Sequence, residues 1–245
     1  MLSIIIPVQK IKKTINPRYF YKKVFGIKET IDSIRKTIDV EFELIIIIND
    51  SENVELIEYI KNETIVSKYA VISKNIGVSR SWNIGAHLAE GKYLCFCNDD
   101  VEFQYSSFKN LLSTFSHHDK VGQIGPQGTK WLRDKPGEYL VSNQIMEADA
   151  IAGYFFIVPT TVFHEVGGFD NFYTPAGCEE IDMSFAIRNK GYKCLIVPNT
   201  GIIHHGNHGI SSRNAIIKYF DKEINTLELD KRNKAYFVKK WYRDE

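Results

Sequence analysis

Two unbroken apolar runs, Ile4-Ile5-Ile6 and Leu44-Ile45-Ile46-Ile47-Ile48, stand out in the first part of the chain. A strand covered on one face alternates apolar and polar residues, whereas a strand covered on both faces does not. These runs therefore predict buried strands of a mostly parallel sheet with helices on either side. Residues 29–37 place Ile31 and Ile34 at helical spacing, and residues 54–61 repeat the pattern with Leu56, Ile57 and Ile60. Ala70-Val71-Ile72 reads as a short third strand, 79–90 as a helix with Ser79 at its N-cap and Gly91 just past its end, and 92–97 as a fourth strand. The second and fourth strands each stop at a polar cluster, Asn49-Asp50-Ser51 and Asn98-Asp99-Asp100. Open α/β sheets bind ligands beyond the carboxyl ends of their strands, so both clusters lie where a ligand is expected.

The second half is less regular and reads as α+β. A helix is expected over 108–115, a Gly/Pro-rich loop around 122–137, and an apolar stretch over 151–158 ended by Pro159. A further helix begins near Glu180 and runs to Asn189, Gly191 marks its end, and 194–197 forms a strand before Pro198. The last stretch, 213–245, holds Ile216, Ile217, Phe220, Ile224 and Leu227 at helical spacing and is expected to be helical. Its basic and aromatic end, Phe237-Val238-Lys239-Lys240-Trp241-Tyr242-Arg243, is expected to cap the core, with a partner or a peripheral membrane contact as the alternative. No internal repeat or low-complexity linker divides the chain.

Composition narrows the classes. With 44% hydrophobic and 25% charged residues over 245 positions the chain can bury a real core and is not a disordered tail. Lys+Arg 31 against Asp+Glu 30 leaves +1, which gives no global electrostatic reason to bind nucleic acid, so any anion must be met by a local site. The four cysteines, Cys95, Cys97, Cys178 and Cys194, form no Cys-x-x-Cys pair, and Cys95 and Cys97 would share one strand face as small apolar fillers. Met1-Leu2-Ser3-Ile4-Ile5-Ile6-Pro7 lacks the basic flank and the length of a signal peptide, and no apolar run approaches the ~18–20 residues of a spanning helix. A soluble, cytoplasmic chain is expected.

Four segments in order carry a resemblance. They are the strand ending at Pro7, the strand ending in Asn49-Asp50-Ser51, the stretch from Asn75-Ile76-Gly77 through Asn83-Ile84-Gly85 to Asn98-Asp99-Asp100, and the stretch from Gly167-Gly168-Phe169-Asp170 through Glu179-Glu180-Ile181-Asp182 to His204. From Ser3 to about Ser212 the chain resembles a glycosyltransferase of family 2 with the GT-A fold, and in particular its rhamnosyltransferase-like branch. The resemblance implies one Rossmann-like domain over 1–212, with a nucleotide-binding half (1–100) and an acceptor half (101–212), followed by a helical C-terminal extension over 213–245. It implies inverting transfer from a nucleoside-diphosphate sugar of the UDP or TDP type to a hydroxyl of a glycan or glycolipid, as in polysaccharide biosynthesis.

The same resemblance assigns residues. Asn98-Asp99-Asp100 resembles the metal motif, with Asp100 as the Mn²⁺ or Mg²⁺ ligand; hard carboxylate and phosphate oxygens suit either ion. Asn98 stands where the family often has Asp, a departure found in the rhamnosyltransferase-like branch. Asp50 resembles the carboxylate that accepts the N3–H of uracil or thymine, with Pro7 and Val8 framing the base. Asn75, Gly77, Arg80 and Asn83 resemble the region that meets the donor phosphates and sugar, where a helix N-terminus and an arginine both favour a diphosphate. Glu180 occupies the place of the general base, Glu179 is a live rival, and Asp182 supports the helix one turn on. His204 resembles the metal-binding histidine, and His205 would point the opposite way. A zinc site on His204, His205 and His208 is the alternative at that segment.

Lys10 to Gly26, with Tyr19, Phe20 and Tyr21, replaces the usual short link to the first helix. Two other functions stay open: a sugar nucleotidyltransferase, and a nucleotide- or sugar-binding module without transfer activity. The first would need a Gly-rich phosphate loop after its first strand, and the residues after Pro7 are basic but not Gly-rich.

Overall fold

The computed structural model describes residues 1–12, 24–105, 108–140, 142–206 and 214–242. The first half runs β1 (Leu2–Val8), α1 (Ile27–Thr37), β2 (Phe42–Ile48), α2 (Val54–Asn62), β3 (Lys68–Val71), α3 (Val78–Leu88) and β4 (Tyr93–Cys97). There follow β5 (Val101–Phe103), α4 (Phe108–His117), β6 (Val121–Gly125), β7 (Gly128–Leu132), β8 (Lys135–Leu140), β9 (Met146–Ala148), β10 (Ala150–Ile151), β11 (Phe155–Pro159) and α5 (Thr160–Glu165). A 3₁₀ turn (Asn171–Tyr173) leads to α6 (Glu179–Asn189), β12 (Lys193–Ile196), β13 (Ile202–His204), β14 (Ile216–Tyr219), β15 (Lys222–Asn225) and α7 (Thr226–Trp241).

The central sheet has eight strands in the order β3-β2-β1-β4-β11-β6-β12-β9. Parallel pairs join β3 to β2, β2 to β1, β1 to β4 and β6 to β12, while β11 runs against β4 and β6 and β9 runs against β12. The sheet is therefore mostly parallel, as the apolar runs predict. Every residue of both runs is buried, and alternate residues feed two cores. Ile4, Ile6, Ile46 and Cys95 pack with Ile31 and Ile34 of α1, whereas Ile5, Ile45, Ile47 and Phe96 pack with Trp82 and Ala86 of α3. Each such side chain contributes roughly 1.5–3 kcal/mol on burial. Cys95 and Cys97 lie in the same core, as the fillers they were expected to be.

From β1 the chain lays strands outward to β2 and β3, and then returns to place β4 on the other side of β1. The order reverses between β1 and β4, and at such a reversal the connections diverge and leave a crevice at the carboxyl ends. Val8, Asn49 and Asn98 stand at that edge.

Three local expectations are corrected. The stretch around 122–137 is not a loop but contains most of β6, all of β7 and the first half of β8. Its glycines serve close packing: a Cβ at Gly125 would lie 2.4 Å from Ile151, and one at Gly122 would lie 2.6 Å from Ile187. The N-cap of α3 is Gly77, not Ser79, because the chain enters the helix at φ 84, which glycine accepts without strain. The start of the C-terminal extension is a β14–β15 hairpin rather than helix, and helix begins only at Thr226, where the Asn225 side chain accepts from Leu227 N and Glu228 N.

The basic, aromatic end of α7 turns inward. Lys240 Nζ lies 2.9 Å from both Asp170 Oδ2 and Asp182 Oδ2, Trp241 Nε1 donates to Asp182 Oδ1 at 2.7 Å, and Phe237 is buried. Phe237, Lys240 and Trp241 are thus engaged with the core, while Lys239 is exposed and Arg243 lies outside the described residues. No helix among the described residues is long and apolar enough to cross a membrane.

Candidate active site

Asp100 follows the carboxyl end of β4 and is buried. The register of β5 against β13 sets His204 opposite Val101, and this brings His204 Nε2 to 3.1 Å from Asp100 Oδ1. His205 N donates to the Asp100 carbonyl at 3.0 Å and holds the two segments together. Alternation then sends His205 away, where its Nε2 lies 2.6 Å from Glu102 Oε2, so the two histidines point apart as expected. His208 lies outside the described residues, as do Tyr19, Phe20 and Tyr21. The ring of Tyr154 stacks on His204 with centroids 4.6 Å apart and fixes its plane.

A cation of the chain's own meets the same carboxylates. Lys12 Nζ lies 2.8 Å from Asp100 Oδ2 and 3.3 Å from Asp99 Oδ1. Burial alone would raise the Asp100 carboxyl, but His204 and Lys12 outweigh it and bring it down to about 2. Asp99 goes the other way, because burial and the charge of Asp100 prevail over Lys12. Asp100 Oδ1, although buried, makes no hydrogen bond: His204 is close enough for attraction but not aligned. An orphaned carboxylate oxygen facing a ring nitrogen is a donor pair that fits Mn²⁺ or Mg²⁺. Among the described residues no group of three or more His, Cys, Asp or Glu converges on one point, so the protein would supply Asp100 and His204 and leave further positions to other ligands.

A second cluster forms at the ends of β1 and β2. Val8 is buried and Pro7 half-buried beside it, and the Val8 carbonyl accepts from Asn49 N at 2.8 Å. Asn49 Nδ2 donates to Asn75 Oδ1 at 2.9 Å, Asn49 Oδ1 accepts from Ile76 N, and Asn75 Oδ1 accepts from Gly77 N. This amide pair ties the end of β2 to the entry of α3. Asp50 forms an Asx turn by accepting from Glu52 N at 3.0 Å, and the cap of α2 is Asn53 instead. Arg80 places its guanidinium over the Phe220 ring at 5.8 Å, and its buried Nε has no hydrogen bond. Asn83 does not share this cluster: its Oδ1 accepts from Phe169 N and its Nδ2 donates to the Phe169 carbonyl, both at 2.9 Å, so its amide pins the Gly167-Gly168-Phe169-Asp170 loop.

Glu179 is buried and Glu180 half-buried at the N-terminus of α6. A Cβ at Gly153 would lie 2.8 Å from Glu180 Cγ, so that glycine makes room for the side chain. The next residue is Tyr154, whose carbonyl accepts from Asn98 N at 2.9 Å and whose ring covers His204, so the acidic pair adjoins the Asp100–His204 end through two consecutive residues. Burial raises both glutamates, most strongly Glu179, whose Oε2 has no partner; helix N–H groups oppose the shift in Glu180. Asp182 is turned away, its carboxylate held by Lys240, Trp241 and Tyr173.

Residues 20–166 match the model of glycosyl transferase family 2. The chain belongs to glycosyl transferase family 2. The match takes in α1 to α5 and stops before the acidic pair and His204. Solved glycosyltransferases share the fold: GalNAc-T7 with UDP, GalNAc and Mn²⁺ (TM-score 0.66, 18% identity, 80% of this chain), and the mannosyltransferase PcManGT from Pyrobaculum calidifontis with GDP-Man and Mn²⁺ (0.55, 14%, 81%). A third is TarS 1–349 from S. aureus in complex with UDP (TM-score 0.54, 13% identity, 81% of this chain). The chain spans 42%, 55% and 58% of those three chains respectively, and the shared architecture is the GT-A fold. No curated protein matches the sequence.

Within this family 2 chain, several residues at the site carry no motif that the sequence alone reveals. Lys12 is one basic residue among several after Pro7, and only the fold sets it on Asp99 and Asp100. Tyr154 and Gly153 lie inside an apolar stretch that reads as strand; a glycine there is the one available signal of a close approach. Asn49, part of the polar cluster expected at the end of β2, is the link to Asn75.

Proposed function

We propose that the chain is an inverting, metal-dependent glycosyltransferase of the rhamnosyltransferase-like kind. It would take a sugar from a UDP- or TDP-type donor and pass it to a hydroxyl of a glycan or glycolipid, in the cytoplasm. The observation that carries the reading is the convergence of Asp100, His204 and the acidic start of α6 at the carboxyl edge of β1, β2 and β4. The neighbours bound to UDP or GDP-Man support a nucleotide donor, and Mn²⁺ in two of them supports a divalent ion.

Asp100 and His204 are the residues that would hold the ion, which neutralises diphosphate charge so that the diphosphate can depart. Asp50, with Pro7 and Val8, faces the base of the nucleotide, while Asn75, Gly77 and Arg80 meet its phosphates, with Asn98 and Asp99 beside them. Glu180 accepts the acceptor's hydroxyl proton as oxygen bonds to the anomeric carbon and the carbon–oxygen bond to the diphosphate breaks. A carboxylate raised by burial is the better base near neutral pH. Glu179 stands as the rival base, and Asp182 supports from the helix.

Calorimetry with UDP, TDP and GDP in the presence of Mn²⁺ tests the reading. Binding at or below about millimolar, some −4 kcal/mol, is expected for one of them, and no heat with any refutes it. One observation favours a second reading, a nucleotide-binding module without transfer: Lys12 already places a positive charge on Asp99 and Asp100. Slow release of nucleoside diphosphate from a nucleotide sugar in water supports the enzyme, and binding without release supports the module.

A further inference from the structure

The acidic start of α6 is preceded by residues 172–177, and all six main-chain carbonyls of that stretch have partners outside it. The Pro175 carbonyl accepts from Val78 N, the first residue of α3, at 2.8 Å. Those of Phe172 and Thr174 accept from Arg232 Nη2 at 3.0 and 2.7 Å. Those of Tyr173, Ala176 and Gly177 accept from Asn233 Nδ2 at 3.2, 3.0 and 2.8 Å. Connecting segments usually lie at the surface and leave such groups to water. Here two adjacent residues of α7 satisfy five of them.

Asn233 is 0% exposed, and its Oδ1 is itself taken up by Arg232 at 2.8 Å. One amide nitrogen shared among three carbonyls fixes the shape of a turn, because moving any of the three breaks the set. Immediately after it the chain passes through two left-handed residues, Gly177 at φ 99 and Cys178 at φ 73, before α6 begins. A non-glycine residue keeps that conformation only where its surroundings over-determine it. Asn233 is one of several anchors of α7, since Phe237 is buried among aromatic rings and Lys240 and Trp241 bind Asp182.

We infer that Asn233 is a positioning residue for the acidic pair: by holding the turn at 172–177 it sets the direction in which α6 presents Glu179 and Glu180. The inference rests on the proposed reading of this pair as the site of the base.

The test compares the full chain with Asn233→Ala, Phe237→Leu and Arg232→Lys. Release of nucleoside diphosphate from UDP-glucose, UDP-N-acetylglucosamine, TDP-rhamnose and GDP-mannose is followed beside UDP, TDP and GDP binding. Asn233→Ala is expected to lower kcat about 10- to 100-fold, since a displacement of about 1 Å at a reacting group costs that much, with KM and nucleotide affinity within about twofold. Phe237→Leu, which loosens the packing of α7 against Tyr173 and Cys178 but leaves the Asn233 and Arg232 hydrogen bonds to the turn in place, is expected to lower Tm and leave kcat within about twofold. Normal kcat in Asn233→Ala overturns the inference, and so does an equal loss in Phe237→Leu.

Should Asn233→Ala fail to fold, Arg232→Lys decides. It keeps the charge but loses the reach to both carbonyls, and a normal kcat there overturns the inference. Hydrogen exchange needs no donor: amides of 174–182 should exchange faster in the Asn233 or Arg232 variant than in Phe237→Leu, and equal protection counts against the inference. Glu179→Gln and Glu180→Gln separate the two layers. If both release diphosphate normally, the assignment of the base has failed and the inference with it; if one is inactive while Asn233→Ala is normal, only the positioning has failed.

Discussion

Lys12 would compete with a divalent ion for the same carboxylates. Two unit charges about 4 Å apart interact by ~1 kcal/mol in water and ~4 kcal/mol near a protein surface, and Lys12 Nζ is within that range of both Asp99 and Asp100. Lys12→Met should therefore tighten Mn²⁺ binding by about fivefold or more, read by titration calorimetry or electron paramagnetic resonance. Unchanged or weaker binding would show that Lys12 does not oppose the ion. Glu180→Gln preserves shape and removes the charge, so transfer should fall by about 10²–10⁴-fold with nucleotide affinity intact. If Glu179→Gln loses transfer instead, the base is one residue earlier.

At the scale of elements, Gly77 shows how one position couples α3 to the turn before α6. It has φ 84, and a Cβ there would lie 2.6 Å from Pro175 Cα, a main-chain atom with little freedom to move. Gly77→Ala should cost about 2–4 kcal/mol of stability, measured by urea denaturation, and the loss should exceed that of an alanine at an ordinary exposed glycine. The strands β1 and β2 were legible because burial on both faces leaves a run such as Leu44 to Ile48 no polar positions. The extension was not legible at its start: Ile216, Ile217, Phe220 and Ile224 satisfy helical spacing, yet the turn at Phe220, φ 52, folds them into a hairpin. Short apolar sets are ambiguous between the two periods. The motifs place Asp100 and His204 as candidates, but their meeting depends on the register of β5 against β13, which lies in no local pattern. Asn83 looks like a donor contact in sequence because its partner, Phe169, is remote along the chain.

For the whole molecule, the buried carboxylates make stability depend on pH in two opposed ways. Asp100 is held near 2, below its ordinary 3.8, so its contribution is present above about pH 4 and is lost as pH falls through about 2. Glu179 is raised above its ordinary 4.5 chiefly by burial, so the folded state holds its proton more tightly than the unfolded one; that contribution is present below about pH 4.5 and lost as pH rises through the folded value. Glu179→Gln removes the second loss, so its stability relative to the parent chain should grow from about pH 5 to about pH 8 in denaturant titrations. A gap that stays constant with pH would mean that Glu179 titrates normally.

The carbonyls of 172–177 also impose an order in time. Strands β1 to β4 are contiguous in sequence and can pair as soon as Cys97 has left the ribosome, but Arg232 and Asn233 are translated long after the turn they hold. Domains tend to fold from the N-terminal side during synthesis, so a nascent chain pairs β1 to β4 while the turn at 172–177 still gives its carbonyls to water. The docking of α7 then follows the formation of the sheet, and a chain interrupted before it would keep its sheet and lack a defined bearing for Glu179 and Glu180.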